Sequence, residues 1–315
     1  TNSVEVGQTV GQLAGVLTTN LGPGRDKLLI RGLSDGAFTG RTRSTVSTYL
    51  DDAPINYNAP DPDLRLVDID RIEVVRGPQG ALYGSGALSG IYKIVTRKPN
   101  LEVMESGATV GAATTQGGDR SYEAEAYLSL PVIRDRAAIR LAGYDDVQGG
   151  YLDDANLRIT NVDQTKRKGG RLAARIQFSP EWRLDALAAK QHLRSDDTQY
   201  LIAGPSQALG GGAPGPAGRA NRVRETHNNN FSYVGGALTG DFAWGSLTSS
   251  LSYVHHVFSS QYDASAAIGR EIEGNADDLG VFSEASRANL LVQDLVVLST
   301  PQGRLDWLFG LYAAR

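Results

Sequence analysis

From about residue 102 to the end, apolar and polar residues alternate along the chain with a period of two. Between Ser121 and Leu130, the residues Tyr122, Ala124, Ala126, Leu128 and Leu130 fall on one side of an extended strand, and Glu123, Glu125 and Tyr127 on the other. Leu172, Ala174, Ile176 and Phe178 oppose Arg171, Arg175 and Gln177 in the same way, and Trp182, Leu184, Ala186 and Ala188 oppose Arg183, Asp185 and Gln191. Leu305, Trp307, Phe309 and Leu311 share a face near the end. Successive side chains of a strand point to opposite sides, so this pattern predicts a sheet that meets oil on one face and water on the other. Strands are expected near 102–113, 119–131, 135–147, 167–179, 182–197, 227–242, 246–262, 287–299 and 303–315. The turns at 131–134, 179–181, 242–245 and 300–303 are short, the connections at 148–166, 198–226 and 263–286 are long, and on that second side only the hairpin at 115–118 is tight. Short turns on one rim and long loops on the other suit a barrel that spans a membrane. Several of these strands exceed the roughly 9 to 11 residues needed to cross a hydrocarbon core, whereas a soluble sandwich more often uses about five or six.

Before residue 100 the pattern is different. Val10–Leu17 is compatible with a short helix and ends in Asn20-Leu21-Gly22-Pro23-Gly24, a strong turn signal. Leu28–Gly32 and Thr45–Leu50 read as strands. Between and after them lie a polar loop at 34–44, carrying Arg41 and Arg43, and an aperiodic loop at 52–62 with three prolines, carrying Tyr57 and Asn58. Loops of this kind carry function more often than core positions do, although solvated loop residues are the plainer reading of each of the four. Leu64–Asn100 then runs LRLVDIDRIEVVRGPQGALYGSGALSGIYKIVTRKPN: a strand, a turn at Arg76-Gly77-Pro78, five glycines from Gly77 to Gly90 with Ser85 among them, and a second strand over Ile91–Thr96. A glycine-rich loop between strands raises the possibility of phosphate binding. That reading fails, because no Lys-Ser/Thr closes the loop and no helix follows to aim its amides at an anion.

RIEVVRGPQG, LYGSGA, a further glycine and IVTRKP together resemble the plug signature of TonB-dependent outer-membrane receptors, and Ile30-Arg31-Gly32 and Tyr49-Leu50-Asp51-Asp52-Ala53-Pro54 are similar to two upstream landmarks of that family. The chain departs from the usual pattern at Ile91-Tyr92-Lys93. The resemblance covers about residues 28–99 and implies a mainly β fold: a small α+β plug, residues 1–100, inside a transmembrane antiparallel β-barrel whose first part is residues 101–315. Nine strands against the family's 22 would make the chain the N-terminal part of such a receptor, with the TonB-box segment outside it, and unable to transport by itself. The resemblance further implies residence in the outer membrane of a Gram-negative bacterium, contact with its lipid, and TonB with its inner-membrane energising complex as partner. The implied ligand is a scarce or bulky extracellular small molecule, first of all a ferric siderophore, with an oligosaccharide or another nutrient also open. Its ligand-facing plug apices would be Arg41, Arg43, Tyr57, Asn58 and Ser85. Plug arginines and the RIEV glutamate face the barrel wall in the family, where the arginines pair with barrel acids, so Arg31, Glu73 and Arg76 are expected to face the wall. Asp294, in Gln293-Asp294-Leu295-Val296-Val297, stands where the family has such an acid, and the expected lock is Arg31 or Arg76 on Asp294; that Asp294 merely lines a wet lumen is the alternative.

Composition narrows the remaining classes. The chain has 315 residues, 41% hydrophobic and 21% charged, with net charge −4 and both signs interspersed, which argues against a nucleic-acid partner. No run approaches 18 consecutive apolar residues, as expected for a barrel. TNSVEVGQTVGQLAG has neither the basic region nor the apolar core of a leader, so a leader has been removed or the chain starts inside a larger protein. With no cysteine there is no disulfide framework and no thiolate metal site. His255 and His256 are adjacent on a strand and point to opposite faces, so with His192 and His227 they read as wall or loop residues. Asp145-Asp146, Asp153-Asp154 and Asp277-Asp278 invite a calcium reading, but their spacing is not that of an EF-hand. HExxH is absent and there is no GxSxG elbow, since the stretch Gly32-Leu33-Ser34-Asp35-Gly36 runs into a polar loop, so neither an enzyme, nor a cofactor, nor a resident metal is expected. Two further readings stay open: a gated outer-membrane pore that does not use TonB, and a secreted β-rich sugar hydrolase, which would need two lumen carboxylates roughly 5 to 9.5 Å apart.

Overall fold

The computed structural model describes residues 4–19, 21–34, 44–56, 60–79, 87–199, 218–265, 278–300 and 305–315. It begins with a two-residue strand β1 (Val4–Glu5) and a single helical turn α1 (Val6–Val10), followed by β2 (Val16–Thr18) and β3 (Leu28–Ile30), which pair antiparallel. The helix expected over Val10–Leu17 therefore sits earlier. Gly15 takes φ +73°, outside the helical region, and the β-branched Val16 and Thr18 go into the hairpin instead. Next come β4 (Val46–Leu50), β5 (Ala53–Pro54), β6 (Arg65–Leu66), β7 (Ile69–Arg76) and β8 (Gly90–Thr96). These assemble as a four-stranded sheet in the order β5-β4-β8-β7, parallel only between β4 and β8, while β6 pairs with β1. Gly90, at φ +148°, admits no side chain because a Cβ would collide with the Val75 carbonyl. The departure at Ile91-Tyr92-Lys93 is accommodated: Ile91 and Tyr92 are both buried.

The rest is one nine-stranded antiparallel sheet in which every strand pairs with its neighbours in sequence: β9 (Glu105–Thr114), β10 (Arg120–Ile133), β11 (Ala137–Gln148), β13 (Thr165–Gln177), β14 (Trp182–Ser195), β16 (His227–Phe242), β17 (Gly245–Asp263), β18 (Val281–Ser299) and β19 (Leu308–Ala314). Two loops contribute a short parallel bridge, β12 (Asp153–Asp154) with β15 (Gly218–Arg219), which the sequence pattern did not announce. β18 starts six residues ahead of the expected 287, and β19 starts at Leu308 rather than 303.

The burial pattern of this sheet is the reverse of a soluble protein's. Tyr122, Leu141, Leu172, Val234, Leu251 and Leu291 are exposed, whereas Arg140, Arg167, Gln191, His227 and Asn229, on the opposite face, are buried. The buried face lies against the first hundred residues: Ala173, Leu187, Phe231, Tyr233 and Val254 from five positions on the wall join Val46, Leu50, Tyr92 and Ile94 in one apolar cluster. A face that is apolar and left uncovered by protein is what lipid requires. All three tryptophans lie toward the short-turn rim, where Trp182 meets Phe242 edge-on at 5.4 Å, Phe242 stacks on Trp244 at 5.3 Å, and Trp244 on Trp307 at 6.3 Å. This is the aromatic girdle of a membrane barrel at its water boundary.

Candidate functional site: the plug–wall interface

The polar contacts between the first hundred residues and the sheet centre on the stretch Asp61–Asp68. Asp63 and Asp68 take left-handed φ angles of 47° and 52°, a conformation that aspartate tolerates better than most residues and that marks a constrained position. Asp68 receives Arg140 of β11 through two bonds, Nε at 2.8 Å and a second nitrogen at 2.6 Å, and Arg171 of β13 at 3.1 Å. Arg140 also reaches Glu105 at 2.6 Å and lies over the Tyr127 ring at 4.7 Å. Higher up, Arg65 of the plug pairs with Glu123 of β10 and with Asp146 of β11, and Arg167 of β13 pairs with Asp63 at 3.1 Å. The Asp68, Arg140 and Arg167 side chains are at most 2% exposed. Charges this deep are tolerable only because each has an opposite partner, and removing one partner costs roughly 3 to 5 kcal/mol.

Neutral groups complete the interface. Gln191 of β14 uses its whole amide: Oε1 accepts from the Arg65 backbone N–H at 2.9 Å and from the Tyr144 hydroxyl at 2.5 Å, and Nε2 donates to the carbonyls of Pro62 and Asp63. Asn229 of β16 donates to the carbonyls of Gly24 and Asp61 and accepts from His256 at 2.8 Å. At the long-loop end, the Gly22-Pro23-Gly24 turn carries Arg25, which bonds the Glu225 carbonyl at 2.5 Å and lies 5.3 Å from the Tyr262 ring centre. Gly24, at φ +75°, packs so closely on His227 that a Cβ would lie 2.6 Å from its ring. Behind this contact the plug holds two carboxyls, the buried Asp61 and the half-buried Asp26, each pushed up to about 6, chiefly by loss of solvent around it. Asn56 donates to Asp61 at 2.5 Å, and the Leu21 N–H to Asp26 at 2.5 Å.

The residues expected at this interface fare differently. Arg41, Arg43, Tyr57, Asn58 and Ser85 lie outside the described residues. Arg31 sits exposed at φ 56°, Arg76 is exposed at the end of β7, and Glu73 pairs with Arg71 on its own strand, with both side chains well exposed. Asp294 projects from β18, and among the described residues neither Arg31 nor Arg76 forms an ion pair with it. The arrangement is instead reversed in sign for the main contact: plug acids meet wall arginines. The cause is local: β7 leaves Arg76 exposed and Glu73 paired on its own strand, while the left-handed turn at Asp68 just before it sets that carboxylate against Arg140 and Arg171 of the wall. A signal for the wall half was readable in Arg167, Arg171 and Arg175, which recur on one face of a strand; nothing comparable singled out Asp63, Arg65 or Asp68. The acidic pairs proposed for calcium are engaged otherwise: Asp146 with Arg65 and Arg167, and Asp154 with the buried Arg219.

Comparison with known proteins agrees with this architecture. The family model for the TonB-dependent receptor plug domain matches residues 1–91. The pesticin receptor of Yersinia enterocolitica is 26% identical over 156 residues, 48% of this chain and 22% of the relative, and the vitamin B12 transporter BtuB of Vibrio cholerae is 28% identical over 197 residues, 60% of this chain and 28% of the relative. Among solved structures, the ferric yersiniabactin uptake receptor FyuA of Yersinia pestis superposes with a TM-score of 0.75 at 17% identity, over 99% of this chain and 48% of that one. The ferripyoverdine receptor of the Pseudomonas aeruginosa outer membrane, bound to ferripyoverdine, gives 0.71 at 13% identity, over 98% and 40%. The chain thus spans about half the length of the solved receptor most like it among these, and its matches to the curated relatives span under a third of theirs. Residues 1–91 thus belong to the TonB-dependent receptor plug domain family, and the outward-apolar antiparallel wall and aromatic rim that follow share the fold of the first barrel strands of such outer-membrane receptors.

Proposed function

We propose that the chain is the stopper and part of the wall of a receptor that takes up a scarce or bulky nutrient with energy delivered by TonB. The observation that carries this reading is the plug seated on the polar face of the wall through buried ion pairs: such a seat blocks passive flow yet can be broken by a pull. The ligand proposed first is a ferric siderophore, in line with relatives named for ferric yersiniabactin and ferripyoverdine; another relative is named for vitamin B12, and an oligosaccharide is a further candidate. Arg41, Arg43, Tyr57, Asn58 and Ser85 are the proposed ligand-facing positions, and the proposed division of the chain is 1–100 and 101–315, between the end of β8 and the start of β9. No bond of the ligand is made or broken in this mechanism. The test is uptake by cells carrying the intact receptor, offered labelled ferric siderophores, cobalamin and oligosaccharides, with and without TonB. Uptake of one ligand class that disappears without TonB is expected; uptake undiminished without TonB would replace the reading with a gated pore.

A further inference from the structure

Plug and wall meet along two seams of opposite character. Along β10, β11 and β13, ion pairs cross from one to the other: Arg65 to Glu123 and Asp146, Asp63 to Arg167, and Asp68 to Arg140 and Arg171. Along β14, β16 and β17, below Gln191 and Asn229, a cavity of about 190 Å³ separates the two. On its plug side Asp51 accepts from the Thr96 N–H and hydroxyl, both at 2.8 Å, and pairs with Lys98 at 2.8 Å. On its wall side Asp185 is held by Arg175 at 2.6 Å and by Arg183 at 3.2 Å. Each side satisfies its own charges, and among the described residues that line the cavity no hydrogen bond or ion pair spans it. The void exists because the wall offers Gly235, Ala237, Ser250 and Ser252 where other strands carry long side chains.

We infer that this cavity is a transit site for a hydrophilic solute, and that the path past the plug opens along it. Parting the first seam strands buried charges from their partners, whereas parting the second at the cavity leaves each charge that lines it paired, the charged contact of Arg25 lying apart from it at the long-loop end. What holds the plug to β14 and β16 above the cavity is the neutral hydrogen bonding of Gln191 and Asn229 together with the apolar contacts of Leu187, Phe231 and Tyr233, none of which leaves a charge behind when parted. The lining suits a polar passenger: hydroxyls, backbone left accessible by small residues, and charges of both signs already neutralised in place. The inference rests on the transport reading above, and its test separates the two.

The chain has no cysteine, so within it only introduced pairs can be joined by a short bifunctional maleimide, and the intact receptor without added cysteines, treated in the same way, is the control for reaction elsewhere. One pair is Ala53→Cys with Ser252→Cys, both lining the cavity. The other is Val67→Cys with Ala142→Cys, which line a small pocket of about 40 Å³ on the ion-paired side. Each is compared with itself before and after the reagent, with ligand binding at the cell surface measured in parallel to verify folding. The expected result is that joining Ala53 to Ser252 abolishes TonB-dependent uptake while binding persists, and that joining Val67 to Ala142 leaves most of the uptake. Uptake lost in both pairs, in neither, or only in the second overturns the inference. A receptor without added cysteines that shows no TonB-dependent uptake overturns the transport reading instead.

Discussion

The plug and the wall bury opposite things. In the plug the enclosed side chains are Ile30, Val46, Ile91, Tyr92 and Ile94, as in any small water-soluble domain. In the wall Arg140, Arg167, Gln191, His227 and Asn229 are enclosed beside the few apolar residues, such as Phe231 and Val254, that meet the plug, while leucine, valine and tyrosine elsewhere are turned out. The same residue types therefore contribute to stability by different routes in the two regions. The plug folds by removing apolar surface from water. The wall closes its backbone hydrogen bonds strand to strand and leaves its apolar surface to lipid, so its interior is free to carry charge. Where the two regions meet, specificity comes from ion pairs and amides rather than from hydrophobic contact alone.

Removing charge at the meeting surface should have the largest effect. Asp68→Ala leaves Arg140 and Arg171 without their shared acid, and is expected to cost roughly 3 to 5 kcal/mol in the urea-induced unfolding of the plug within the detergent-solubilised receptor. An effect below that of an ordinary surface substitution would mean that the pairs do not hold the plug. A direct contrast comes next: Ile30→Ala, in the plug core, should cost about 2 to 5 kcal/mol, and Val234→Ala, on the lipid-facing side, far less, because no cavity forms where lipid can follow the surface. Equal costs would erase the distinction between the regions. Gln191→Leu leaves two plug carbonyls and one N–H without their wall partner, and the expected loss is about 1 to 3 kcal/mol, read in the same titration.

A subtler prediction concerns pH. The Asp61 carboxyl lies at about 6 in the fold against 3.8 when unperturbed, so the fold favours its neutral form. Its contribution is therefore fully present below pH 3.8 and lost as pH rises through 6. Asp61→Asn should flatten that part of the plug's stability profile between about pH 4 and 6, and an unchanged profile would show that Asp61 does not titrate in this range. The smallest effect is assigned to Asp294→Asn: with neither Arg31 nor Arg76 as a partner, it should change plug stability by no more than about 0.5 kcal/mol.

The wall was largely legible in the sequence because a period of two, interrupted by turn residues, needs only neighbouring positions to be read. Strand ends came within a few residues except at Val281 and Leu308, where alternation continues through polar residues or gives way to a loop. The plug strands carrying the family motifs were legible for the same reason. The ion pairs were not: Asp68 and Arg140 are 72 positions apart, and which acid faces which arginine depends on how two independently folded surfaces dock. The left-handed turns at Asp63 and Asp68, which decide that docking, leave no mark in a hydrophobic pattern.

The placement of the tryptophans has a practical outcome. All three belong to the barrel and cluster toward a single edge of it, and the stopper has none. Intrinsic ultraviolet emission from this chain is thus a gauge of insertion depth, open to quenching by brominated lipids at the headgroup level and nearly blind to displacement of the stopper. Following that displacement optically requires an indole introduced by design, against a background that the native residues keep constant.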